Sequence, residues 1–174
     1  DLYRDLGKSL LESDRPKDLD AEELEQYDVL LEEQAFPFEE KAIGIHERNA
    51  RLAAQGVYDE WVQKSYAELA QLKPGRYARS EVADAPVAPV AGPALPPEAD
   101  PAVQNQLGVQ RRQAGQFADA QAAYERALAL DPNYADAERN LAILHDLYLD
   151  NLSAALPHFE RYQALTQGAD TQVT

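Results

Sequence analysis

Residues 82–101 read VADAPVAPVAGPALPPEADP, with prolines at Pro86, Pro89, Pro93, Pro96, Pro97 and Pro101. Proline has no backbone N–H and fixes φ, so neither a helix nor a central strand persists through such a segment. The chain is therefore divided: residues 1–81 form one helical region, 82–100 a Pro/Ala-rich linker, and 101 onward a second region. Alanine and valine between the prolines favour an extended, polyproline-like path. At about 3.1 Å per residue, the stretch from Ala83 to Asp100 reaches roughly 55 Å. It reads as a semi-rigid spacer. The other reading is a PxxP-type ligand or a strap lying in a groove of its own protein, but the lysine or arginine that often flanks such ligands is missing.

Charge narrows the partners. The 174 residues carry 31 acids and 16 bases, a net charge of −15. Nucleic acid and anionic membrane surfaces both require a basic face, so neither is expected as a partner. No run of about 18 apolar residues occurs, so nothing in the chain reads as a membrane span. Residues 1–81 hold 19 acids and 11 bases, and residues 82–174 hold 12 and 5. The densest stretch is 18–40, with ten acids and no base. Within it Glu22, Glu23, Glu25, Asp28, Glu32, Glu33, Glu39 and Glu40 form a candidate acidic docking surface for a basic protein, an arrangement that favours association rate more than affinity. The bland reading is a solvated face. The absence of cysteine removes disulfides, thiolate catalysis and cysteine-ligated metals.

Strand signals are lacking, and helical periodicity is present nearly everywhere outside the linker. Leu2, Leu6 and Leu10 mark a first short helix. Leu24, Tyr27, Leu30 and Leu31 mark a second. Phe38, Ala42, Ile45, Asn49 and Leu52 mark a third, opened by Pro37, where the missing donor does no harm. Tyr58, Trp61, Val62, Tyr66, Leu69 and Leu72 mark a fourth, stopped by Pro74-Gly75. Gly56 between the third and fourth predicts an antiparallel hairpin.

Residues 101–134, PAVQNQLGVQRRQAGQFADAQAAYERALALDPNY, resemble the tetratricopeptide repeat (TPR), a 34-residue helix–turn–helix unit. The matching residues are Leu107-Gly108, Gly115, Phe117, Ala120, Tyr124, Ala127 and Pro132. Gln104 and Arg111 stand where the family usually has tryptophan and tyrosine. Gly108 and Ala120 are small where the two helices must approach closely, and Asp131-Pro132 ends the second helix. A second copy starts at Ala135, with Leu141-Ala142 in register. Its second helix then runs one residue late, through Ala155, Phe159 and Tyr162. This predicts a one-residue insertion in the turn 149–152, with Asn151 as N-cap. Pro157 predicts a kink or a late helix start. The two units span 101–166, and 167–174 reads as a fraying tail. In the N-terminal half, Gly56, Tyr58, Tyr66 and Pro74 echo Gly115, Phe117, Tyr124 and Pro132, so 38–73 looks like a degenerate TPR hairpin. Trp61 falls near a small-residue position, which predicts wider helix spacing. Repeats of this kind bury a core by stacking, so the hairpin is expected to stack on 101–166 or a partner to complete the array. The fold class expected is all-α: hairpins of TPR type in a short solenoid.

No catalytic, cofactor or metal constellation is present in the sequence. There is no phosphate loop, no GxSxG and no HExxH; His46-Glu47 begins like a zincin motif, but Ala50 stands where the second histidine belongs. His46 is expected to pack or bond locally, His145 to pack at an interhelical position, and His158 to be exposed. No cofactor is expected.

The TPR resemblance implies a peptide or partner groove. The positions that often face it are Asn105, Gln106, Val109, Arg112 and Gln113 in the first copy. In the second they are Asp136, Arg139, Asn140, Ile143, Asp146 and Leu147. Asn105, Arg139 and Asn140 partly echo the clamp with which some relatives hold a peptide C-terminus. The linker, the lack of cysteine and a start at Asp1 rather than methionine make the chain similar to bacterial cell-envelope TPR proteins, as does LLEEQAFPFEEKAIGIHERNA. That resemblance implies export, with a lipid anchor upstream of Asp1, a periplasmic or envelope location, and a role as a non-catalytic adaptor in an envelope complex. The alternative is a cytosolic, co-chaperone-like or regulatory peptide-binding module.

Overall fold

The computed structural model describes residues 2–79 and 97–167. Most of the proline-rich linker, 80–96, and the tail from 168 lie outside the described residues. The elements are α1 (Leu2–Leu11), α2 (Ala21–Ala50), α3 (Glu60–Leu72), α4 (Pro74–Tyr77), α5 (Pro101–Gln113), α6 (Phe117–Leu130), α7 (Ala135–Ile143) and α8 (Leu152–Thr166). Short 3₁₀ turns occupy Ala53–Gln55 and Pro97–Ala99, and a π turn occupies Leu144–Tyr148. No strand occurs among the described residues, and the fold is all-α.

The helix starts are chemically marked. Asp20 accepts hydrogen bonds from the Glu22 and Glu23 amides, and the Glu23 carboxylate returns one from the Asp20 amide at 3.0 Å, a complete capping box. Asp59 caps α3 and Asp100 caps α5, with Pro101 in the first turn.

Pro37 does not open a helix. It sits inside a single 30-residue α2 that merges the second and third expected helices. The carbonyl its missing donor leaves free belongs to Glu33. Both residues are exposed, which leaves that side of the helix open to solvent, while α1 packs against Ala35 and Phe38. The α1–α2 approach is close: a Cβ on Gly7 would stand 3.5 Å from the Phe38 Cβ. Leu2, Leu6 and Leu30, expected on apolar faces, are exposed.

The N-terminal hairpin, α2 to α3, turns at Gly56, where φ is +83°; the first repeat turns at Gly115, where φ is +74°. Trp61 does not stand between helices. It is 72% exposed, and Val62 points inward instead. Counted back from Tyr66 and Tyr124, α3, capped by Asp59, starts one residue later than α6, and Val62 rather than Trp61 takes the place of Ala120.

In the first repeat Tyr124 is fully buried, and a Cβ on Gly108 would stand 2.3 Å from its ring. The interlock of glycine and tyrosine is what sets the α5–α6 spacing. In the second repeat the inserted residue does not lie in the 149–152 turn. The backbone absorbs it upstream, in the π turn, with the Leu149 amide donating to the Leu144 carbonyl at 3.0 Å. The left-handed residue that follows is Asp150, φ +48°, one position later than Gly115 in its repeat. Asn151 caps α8 through the Ala154 amide, and α8 begins at Leu152, ahead of Pro157.

Candidate partner-binding surfaces

Two surfaces carry the expectations: the TPR groove face and the acidic face of α2. On the groove face, Asn105, Val109, Arg139, Asn140, Ile143, Asp146 and Leu147 are all buried. Arg112 and Asp136 are half-buried, and only Gln106 and Gln113 are exposed. Seven of the eleven positions are thus closed to a ligand, a correction to the open groove that the resemblance implied.

The chain's own N-terminal hairpin fills much of that face. Ala53 and Val62 share one buried cluster with Val109, Phe117, Ala120, Tyr124, Leu141 and Leu144. Tyr66 and Tyr77 pack against the cluster that holds Ile143 and Leu147. The Tyr66 hydroxyl donates to the Leu147 carbonyl at 2.6 Å and lies 3.2 Å from the Ala50 carbonyl. Burial among tyrosines raises the pKa of this phenol well above its ordinary value, so it stays a donor. Tyr58 meets Phe117 edge-on at 5.1 Å, and Tyr66 lies 4.9 Å from Tyr148. Arg112 stacks over the Tyr148 ring.

Charge closes the far side. Asp146 is buried between two arginines from the N-terminal half, Arg76 at 3.1 Å and Arg79 at 3.3 Å. Arg79 also lies over Phe159 at 5.3 Å. A buried carboxylate needs such partners to remain ionised.

The expected carboxylate clamp is occupied from within. The Asn140 side-chain amide donates to Asn105 Oδ1 at 2.9 Å, and Arg139 is buried with its guanidinium 6.0 Å from the Tyr162 ring.

The histidines are structural. His46 is buried, with Nδ1 3.2 Å from Ser65 Oγ, and burial lowers its pKa. His145 is buried and stacks on His158 at 6.0 Å. Burial first, then the neighbouring His158, lowers the His145 pKa. His158 is not exposed as expected: it is half-buried and its Nδ1 lies 2.6 Å from Glu138. Among the described residues no group of three or more side chains is placed to hold a metal ion.

The acidic surface differs in every respect. Glu22, Glu23, Glu25, Glu32, Glu33, Glu39 and Glu40 are exposed on α2. Asp28 is half-buried and paired with Arg15 at 2.6 Å. Two apolar side chains missed by sequence reasoning stand among them, Val29 at 52% exposure and Phe36 at 61%, with Leu30 beside them at 49%. The signal was present in the spacing, since Val29 and Phe36 are seven residues apart. The assumed helix break at Pro37 hid it. Of the described residues, no helix is long and apolar enough to cross a membrane.

Residues 100–146 match the family model described as TPR repeat. No curated protein and no solved structure matches the chain. The match covers α5, α6 and α7 into the π turn, and so includes the Gly108–Tyr124 interlock and the buried Ala120. Residues 100–146 of this chain are therefore a tetratricopeptide repeat, and such a repeat is a protein–protein interaction module.

Proposed function

We propose that this chain is a non-catalytic adaptor that assembles a bacterial cell-envelope complex, and that it grips a partner with a basic surface through the front of α2. One contrast carries the reading. Val109, Ile143, Asp146 and Leu147 of the groove face pack against or pair with the chain's own N-terminal half, through Val62, Tyr66, Arg76 and Arg79 among others, whereas nine of the ten acids at 18–40 are exposed. The repeats and the N-terminal hairpin then act as the scaffold behind a docking helix. The Pro/Ala/Val-rich spacer and the absence of cysteine support an envelope location. The competing reading, a cytosolic peptide-binding module, needs an open groove with Arg139 free to meet a carboxylate; the burial of Asn105, Arg139 and Asn140 argues against it.

Photocrosslinking in the native host tests this. A crosslinker at Glu33 is expected to capture a basic protein, and one at Gln113, on the exposed rim of the repeat groove, to capture none. Partners captured from Gln113 alone would overturn the docking role of α2. Fractionation of the same cells tests the location: recovery with the cytosol would remove the envelope part.

A further inference from the structure

The front face of α2 has an apolar centre. Taking 100° per residue, Val29 and Phe36 lie on one line along the helix, within 20° of each other. Glu22 continues that line one heptad earlier. Glu25 and Glu32 fall on one flank, and Glu33 and Glu40 on the other, all within about 60° of the stripe. The buried face of the same helix, with Leu31 and Ala35 against α1, is on the opposite side. On the front, Val29 and Phe36 remain more than half exposed. An apolar seam with a seven-residue period, flanked by charged rows, is the face that a helix presents to another helix.

The charge selects the occupant. A second copy of this chain would bring carboxylates against carboxylates. The chain's own spacer does not fit either, since residues 82–101 hold acids at Asp84, Glu98 and Asp100 and no base. An anionic lipid surface is repelled. What complements the face is a helix of the opposite kind, apolar along one side and cationic on both flanks.

We propose that α2, from Glu22 to Glu40, is the receptor strip for a cationic amphipathic helix of the partner. Apolar side chains of that helix pack on Val29 and Phe36, and its lysines or arginines reach Glu25, Glu32, Glu33 and Glu40. The inference rests on the reading of α2 as the partner surface and names the class of segment that surface takes. The length of the strip, about 28 Å for its 19 residues, matches a little under three heptads of a partner helix.

The test uses the full chain and three labelled 21-residue peptides of the same length. The first is a leucine/lysine helix patterned to have one apolar face. The second holds the same residues reordered so that no face is apolar. The third is the patterned helix with glutamate in place of lysine. The patterned cationic peptide is expected to bind about tenfold or more tighter than its reordered isomer, and the glutamate form not at all. The double variant V29S/F36S keeps the charge and both residues are exposed, so its helix content is expected to be unchanged; its affinity for the patterned peptide falls about tenfold. E25Q/E32Q/E33Q/E40Q weakens binding at least as much and flattens its salt dependence. Equal affinity for the two lysine peptides would overturn the proposal, as would unchanged binding by V29S/F36S. Dimerisation of the wild type that V29S/F36S abolishes would overturn it in favour of a second copy. Binding to phosphatidylcholine vesicles that the same variant abolishes would do so in favour of a lipid surface. If Glu33 crosslinks a partner in cells while the patterned peptide has no advantage, the docking surface stands and the helical class of its occupant falls. If neither occurs, both fall.

Discussion

Helix α2 and helix α5 each bury one face in the fold, yet they spend the rest of their surfaces differently. On α5, Gln104, Asn105, Gly108 and Val109 are all buried, so even polar side chains are enclosed between α6, α7 and the N-terminal hairpin. On α2, the C-terminal part from Ala42 to Ala50 is core, whereas the part from Glu22 to Glu40 buries only Leu31 and Ala35. The repeat half of the chain is built by interlocking, and most of its groove-facing positions are closed. The N-terminal half closes that face and keeps one end of its long helix in solvent. A repeat match therefore locates the scaffold, and the binding surface proposed above lies outside the matched residues.

The glycines offer the largest test of that contrast. Gly108→Ala places a methyl group 2.3 Å from the enclosed ring of Tyr124, and is expected to cost about 3 kcal/mol by overpacking. Gly44→Ala on α2 meets only the Arg48 guanidinium at 3.7 Å, and is expected to stabilise by about 0.5 kcal/mol through helix propensity. Urea denaturation of both variants measures the difference. Equal effects would mean that α5 is no more tightly enclosed than α2.

Next in size is the seam between the halves. Asp146→Ala leaves Arg76 and Arg79 without their shared carboxylate, and is expected to cost about 2–3 kcal/mol. Limited proteolysis within 60–79 is expected to accelerate in the same variant. Unchanged proteolysis would show that the aromatic contacts of Tyr58 and Tyr66 alone hold the hairpin on the repeats.

Much of this was legible in the residues. The turn glycines, the Asn151 cap and the first repeat follow from local chemistry that tertiary context does not override. Pro37 misled because a proline's cost depends on whether water can reach the carbonyl it strands, and that depends on where α1 packs. The insertion in the second repeat was correctly counted as one residue but misplaced. A helix can absorb an extra residue within a π turn as well as a loop can, and no residue type marks the choice. The groove positions were read from family offsets, which say which way a side chain faces and not what another part of the same chain lays over it. Arg76 and Arg79 carried the missing hint: two cations just beyond α3 in a strongly acidic chain need a carboxylate, and Asp146 is one that would otherwise be buried alone.

The two hairpin turns give a smaller contrast. Both Gly56 and Gly115 have positive φ, so alanine at either costs about 1 kcal/mol from backbone strain. At Gly115 the new methyl also meets the Tyr58 ring at 2.8 Å, whereas at Gly56 nothing lies within 4 Å. Gly115→Ala is expected to be the worse by about 1 kcal/mol in the same denaturation series. A tie would mean that Tyr58 moves freely, and that the hairpin is not seated on the repeat turn.

The smallest effect separates the halves by pH. His145 is buried, its Nδ1 has no hydrogen-bond partner among the described residues, and His158 stacks on it. Burial and that neighbour both disfavour the imidazolium, so the folded-state pKa lies below the ordinary value of about 6.5. A histidine with a depressed folded pKa contributes stability that is fully present above the unfolded value and is lost as the pH falls through it. Stability is therefore expected to decline as the pH is lowered from 7 toward 5. His145→Gln keeps a polar side chain but does not titrate, so its decline is shallower. His46, also depressed by burial, sits between α2 and α3 and accounts for a second share. The variant His46→Gln removes that share from the N-terminal half alone. If the two variants flatten the profile additively, the halves titrate independently across the seam. If either one removes the whole slope, the hairpin and the repeats take up protons as one unit.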